Sequence, residues 1–144
     1  ESALLADVVR RLQQRGTLIV AAVGNDGPAA PPLFPAAYAG VIGVTATDLA
    51  GQVYRRAGRG DHVDYSAPGV GLKAAAAGGR YGVVTGTSFA TPVVAALLGL
   101  QRLDAGARPR PAAAEVPVRD LGPPGRDRTF GFGQVMIALE AAGQ

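Results

Sequence analysis

The chain has no cysteine and no tryptophan, and its 144 residues contain one lysine, Lys73, and one histidine, His62. Without cysteine there is no disulfide framework and no thiolate metal site. No apolar run approaches the ~20 residues of a membrane span; the longest are short, such as Leu18–Val23 and Val93–Leu98. Charge is sparse as well, at 17% of residues against 48% hydrophobic, a balance opposed to intrinsic disorder. The excess of positive charge is only +3, and nearly all of it is arginine in small groups: Arg10–Arg11, Arg55–Arg56–Arg59 and Arg126–Arg128. Aromatic residues do not alternate with these groups, as a single-strand nucleic-acid binder requires. They read as solvated surface arginines, with no nucleic-acid partner.

What is abundant is glycine (21) and proline (11), about twice their usual share. No Gly-X-Y period runs through them, so their meaning is frequent turns. The length suits about one domain. The chain opens at Glu1 and enters a helical pattern at once. Ser2 suits an N-cap, and Leu4, Leu5, Val8, Val9 and Leu12 form an apolar stripe at helical spacing, ended by Gly16. Thr17–Val23 and Val41–Ala46 are continuous apolar runs of strand length, suited to parallel strands buried on both faces. A short strand is expected near Val53 and another from Val63 to Ser66, stopped by Ala67-Pro68-Gly69. Gly71–Ala76 and Tyr81–Thr85 predict a hairpin around Gly78-Gly79. From Thr87 to about Leu103 the pattern is apolar nearly all round, which predicts a buried central helix with Pro92 in its first turns. Residues 104–130 read as irregular, with one short helix near Pro111–Glu115, and the tail from Gly133 to Ala142 as a final helix. The class is α/β, a mostly parallel sheet flanked by helices.

Two segments carry chemistry. Gly86-Thr87-Ser88-Phe89-Ala90-Thr91-Pro92 lies between an expected strand and an expected helix. A serine there meets free N–H groups and the positive end of the helix dipole, which favour a developing anion. The same residues also suit a plain helix cap by Thr87 or Ser88. In Ala21-Ala22-Val23-Gly24-Asn25-Asp26-Gly27 an asparagine follows a buried strand, where α/β sheets meet ligands. Its amide can donate to an oxyanion; it also suits a left-handed turn. A phosphate loop is weakly supported, since no lysine follows and no GxGxxG is present.

In this order the blocks resemble the C-terminal half of a subtilisin-like serine peptidase. Gly16–Gly27 resembles the strand and loop carrying that family's oxyanion asparagine. Pro35–Tyr38 with Val41–Ala46 resembles its next strand, and Ser66–Gly69 its Ala-Pro-Gly turn. Gly86–Pro92 matches the nucleophile motif, while Asp120–Gly122 and Phe130–Gly133 match the closing segment. The resemblance departs at Tyr54–Gly58, where the family has a Phe-Ser-Asn type of turn.

The resemblance implies Ser88 as nucleophile and Asn25 as oxyanion donor. It implies Ala21, Ala22, Val23 and Gly24 as part of the wall around the substrate side chain before the cleaved bond. The family's triad runs Asp, His, Ser. Only the serine block is found here, so residues 1–144 are expected to be a partial peptidase domain lacking its first strands. The N-terminal half would be a partner, and the chain alone would be inactive. His62 stands in Gly60-Asp61-His62-Val63-Asp64, outside the family's His motif, and is expected to be structural and remote from Ser88. A non-catalytic relic, or one half of a split peptidase acting as a binding module, remains the alternative. No cofactor is evident. Calcium is possible in the intact family domain, but no acidic cluster has ligand spacing. A peptide or protein substrate, no membrane partner and an extracellular or periplasmic setting follow from the resemblance.

Overall fold

The computed structural model describes residues 1–104 and 116–136. Helix α1 (Ala3–Gln14) is capped by Ser2, whose hydroxyl accepts from the Leu5 N–H. Strands β1 (Val20–Ala22), β2 (Ile42–Thr47) and β3 (Tyr65–Pro68) follow. An antiparallel ribbon of β4 (Leu72–Ala76) and β5 (Arg80–Val84) leads into helix α2 (Thr87–Asp104). Two short strands, β6 (Val118–Arg119) and β7 (Gln134–Val135), close the described fold.

The main sheet has the order β1-β2-β3-β7-β6. β1, β2, β3 and β7 run parallel, and β6 is antiparallel to β7. This is the mostly parallel α/β sheet expected from the apolar runs. Alternation along β2 and β3 splits its side chains between two faces. Ile42, Val44, Ala46, Tyr65 and Ala67 pack under α2 with Ala90, Val94 and Leu98. On the other side Ala21, Val23, Val41 and Val63 pack with Val9 of α1 and with Ala36 and Tyr38.

Several expectations are corrected. In α1 only Val9 of the apolar stripe is buried; Leu4, Leu5, Val8 and Leu12 are exposed. The helix turns Ala6 and Val9 inward instead, rotated so that the leucines look away from the sheet. α2 is not buried all round, for Ala95, Ala96, Gly99 and Leu100 face outward. Its small residues make it look like core, while one stripe is enough to cover the sheet. Near Val53 there is only a single antiparallel bridge to Thr47, too little for a strand. Where the tail helix was expected to begin, Gln134–Val135 forms β7, because Ser66 of β3 offers it a parallel partner. The predicted helix near Pro111–Glu115 and the tail beyond Met136 lie outside the described residues.

Candidate active site

β1 ends at Ala22, and Val23-Gly24 carries the chain out to Asn25 at the carboxyl edge of the sheet. The Asn25 side chain crosses to the start of α2, where its Oδ1 accepts from the Thr87 N–H at 3.0 Å and from the Thr87 hydroxyl at 3.1 Å. A backbone N–H can only donate, so the atom facing it must be the carbonyl oxygen of the amide. The orientation of the carboxamide is therefore fixed, and Nδ2 is left on the other side. It lies along Gly86, 3.4 Å from where a Cβ on that residue would stand.

Thr87 is buried, and Ser88, the next residue, is exposed in the first turn of α2. The expected helix cap is thus made across the chain: Asn25, 62 positions away, satisfies one of the helix's free N–H groups. The Thr87 carbonyl in turn accepts from the Thr91 hydroxyl at 2.8 Å. The turn at Gly69 holds this helix start from below. The Gly86 N–H donates to the Gly69 carbonyl at 2.8 Å. A Cβ on Gly69 would stand 2.8 Å from the Ala46 Cβ, 2.9 Å from the Gly86 oxygen and 3.0 Å from the Ala90 Cβ, so only glycine lets β2, β3 and α2 come this close.

The arrangement offers a serine in the first turn of a helix and an amide whose oxygen is pinned to the preceding residue, Thr87. Both are groups suited to chemistry in which negative charge develops on an oxygen. Of the sequence-implied residues, Asn25 is brought by its side chain against Thr87, the residue before Ser88, and Ala21–Gly24 lead directly into Asn25. Thr87 was missed as the partner of Asn25. A hydroxyl residue before the serine reads locally as a cap, and nothing local points to an amide so distant in sequence.

His62 occupies a different place. It precedes β3 and borders a cavity of about 440 Å³ with Tyr38, Asp61, Asp64 and Arg126, among others; neither Asn25 nor Ser88 lines it. Its Nε2 is buried and meets no hydrogen-bond partner among the described residues. Burial holds its pKa below the usual histidine value, opposed by the charges of Asp64 and Asp61. The segment around it is clamped by arginines. Arg126 donates to the Asp61 and Val63 carbonyls and to Asp64, and Arg128 makes a two-pronged pair with Asp61. The Asp61 carboxyl is accordingly held below its usual range by the hydrogen bond and charge of Arg128. Among the described residues no group of three His, Cys, Asp or Glu side chains is placed to hold a metal ion.

Comparison with known proteins follows the same lines. The model of the Subtilase family matches residues 2–133. Minor extracellular protease Epr of Bacillus subtilis (strain 168) is 36% identical over 98% of this chain, and the match covers 22% of that protein. Alkaline elastase YaB of Bacillus sp. (strain YaB) is 34% identical over 98% of this chain and matched over 36% of its own length. Among solved structures, the prenylagaramide maturation protease PagA superposes with a TM-score of 0.77 at 25% identity, covering 94% of this chain and 53% of that one. The self-cleaved protease domain of PatA gives 0.69 at 31% identity, covering 78% and 44%. This chain therefore spans only part of the relatives it matches, and the fold is subtilisin-like. By the family model across most of its length, the chain belongs to the subtilase family.

Proposed function

We propose that this chain carries the nucleophile and oxyanion side of a serine endopeptidase site. The observation that supports it best is the pinning of the Asn25 carboxamide by Thr87, the residue before Ser88, which leaves the amide nitrogen turned away from Thr87 and along Gly86. In this reading Ser88 Oγ attacks the scissile carbonyl carbon and its proton passes to a base. The Asn25 Nδ2–H and the Ser88 N–H hold the oxyanion. Collapse breaks the C–N bond and expels the amine, which takes the proton from the base and leaves an ester on Ser88. Water, giving its proton to the same base, then attacks that ester, and a second collapse releases the acid and returns the proton to Ser88 Oγ. The segment Ala21, Ala22, Val23 and Gly24 forms part of the wall beside the substrate residue that precedes the cleaved bond, through Ala22, Gly24 and the backbone, since the Ala21 and Val23 side chains are turned into the core. The substrate is a peptide or protein, in an extracellular or periplasmic setting like that named for Epr.

The base and the carboxylate that orients it come from another segment, in the manner of a triad. His62 is the chain's only histidine and borders a separate cavity. Residues 1–144 then act as the C-terminal portion of a peptidase domain, with the base-carrying half as partner. A serine without its base is a poor nucleophile at neutral pH. The chain alone is expected to release little chromophore from a chromogenic peptide, with no further loss in Ser88→Ala. Joined to a subtilase segment that supplies Asp and His, it is expected to become active, and Ser88→Ala to abolish that activity. A joined protein that folds and stays inactive defeats the reading. Turnover by the isolated chain that disappears in Ser88→Ala would require a base within these residues, starting with His62.

A further inference from the structure

We propose that Leu33 closes the pocket beside the candidate oxyanion site, restricting the residue before the cleaved bond to a small side chain such as alanine or glycine. The inference rests on the peptidase reading above and adds the substrate class to it.

Gly24 immediately precedes Asn25 and adopts φ +98°, in the left-handed region that favours glycine. Its carbonyl is taken by the Gly58 N–H at 3.0 Å, which ties that side of the residue to the body of the protein. The space in front of its Cα is filled by Leu33: a Cβ on Gly24 would lie 2.4 Å from the Leu33 Cδ1 and 3.2 Å from its Cγ. The isobutyl group thus rests directly on the Gly24 backbone. Leu33 is still 38% exposed, so it does this at the surface and not within the core.

Its position is well fixed. Pro31 and Pro32 restrict the chain before it. The Leu33 carbonyl accepts from the Ala37 N–H at 3.0 Å, and the Phe34 ring packs on Tyr38 with centroids 4.4 Å apart.

The geometry of attack says what this volume would otherwise hold. With the scissile carbonyl oxygen at Asn25 Nδ2, the Cα of the same substrate residue is one bond from the attacked carbon. Its side chain then extends over the backbone that leads into Asn25, which is Gly24. A methyl group fits beside Leu33 there, whereas a benzyl or isobutyl group competes with it for the same space. Pocket shape of this kind discriminates by about 10–200-fold for each methylene.

A binding experiment reads this without requiring turnover. Peptide products end in a carboxylate, and one of its oxygens can take the oxyanion position at the helix N-terminus. The chain, isotope-labelled and joined to the subtilase segment that supplies Asp and His, is titrated with N-acetyl-Ala-Ala-Pro-Ala and with N-acetyl-Ala-Ala-Pro-Phe, both with free carboxyl termini. The Asn25 side-chain amide and the Ser88 N–H are followed by NMR. We expect the alanine peptide to bind the native chain at least about tenfold more tightly than the phenylalanine peptide. Leu33→Gly should raise affinity for the phenylalanine peptide by about tenfold or more, and Leu33→Ala, which keeps the loop stiffer, should shift it the same way. Equal binding of the two peptides to the native chain, or an unchanged preference in both variants, overturns the role of Leu33 while the perturbed Asn25 and Ser88 signals leave the peptidase site standing. If neither peptide moves those signals in any of the three proteins, the site reading falls and the Leu33 inference with it.

Discussion

Asn25 has two separable duties, because its two amide ends face different ways. Its oxygen caps α2 through Thr87, and its nitrogen is the proposed oxyanion donor. Asn25→Asp keeps an acceptor for the Thr87 N–H and places negative charge at a helix N-terminus, where it is favoured. Thermal denaturation should therefore find it close to the native chain in stability. Asn25→Ala strands the buried Thr87 groups and should cost about 0.5–2 kcal/mol. In a joined, active protein both variants should lose about 10²–10³ in kcat, a figure that comes from subtilisin itself and is carried over here. An Asn25→Asp variant that keeps full activity would sink the donor assignment. His62 makes a prediction of its own. Its folded pKa is depressed by burial, so in the window between that value and the unfolded value near 6.5 the unfolded chain binds more protons. Stability must then rise with pH through this window and fall on acidification. Asp61, Asp64 and Arg126, which face the same cavity, set the local field, and the Asp61 carboxyl titrates far lower. His62→Gln should flatten the dependence of Tm on pH just below the unfolded value of about 6.5; an unchanged slope would remove His62 as its source.

At the scale of elements, the turn at Gly69 links three pieces of structure that are distant in sequence. A methyl group there meets the Ala46 Cβ, the Gly86 carbonyl and the Ala90 Cβ, none of which can swing aside as a long side chain can. Gly69→Ala should cost about 1–3 kcal/mol, seen as a drop in Tm of about 3–10 °C, and should disturb the start of α2 that carries Ser88. A melting curve matching the native one would show that the contact is loose. Much of this level was legible in the sequence. The hairpin around Gly78-Gly79, the start of α2 at Thr87 and the buried parallel strand β2 follow from turn residues and uninterrupted apolar runs, which are local signals, whereas the run over Thr17–Val23 yields only the three-residue, mostly half-buried edge strand β1. The errors share a cause too. Periodicity shows that α1 has an apolar stripe but not which side of the helix the sheet takes; packing chose Val9 and left Leu4 outside. The apolar content of α2 likewise hid its exposed flank. β7 was invisible because a two-residue strand is specified by its partner, here Ser66, and not by its own residues. In the site, Asn25 and Ser88 were found through family motifs. Their connection through Thr87 is a tertiary contact that no local pattern contains.

On the scale of the whole molecule, exposed apolar side chains stand at Leu49, on the β4–β5 ribbon at Tyr81 and Val83, and as a row along α1. β1 is an edge of the main sheet, and beside it α1 exposes Leu4 at 77%, with Val8, Leu5 and Leu12 between 38% and 43%. Edge strands offer unpaired backbone groups, and contiguous apolar patches favour contact with another polypeptide. In the proposed assembly the base-carrying half is the natural cover for this flank. For the chain on its own the available cover is another copy of itself. Light scattering on the isolated chain should accordingly report association that grows with concentration. Leu4→Lys with Val8→Glu adds charge to α1 without touching Val9, the helix's buried anchor, so the fold should survive by circular dichroism while the association weakens. Ser88 and Asn25 lie on other elements and should be unaffected by that pair of changes. A native chain that remains a monomer at high concentration would show that this flank has no appetite for a partner, and the expectation that a second segment packs there would lose its physical basis.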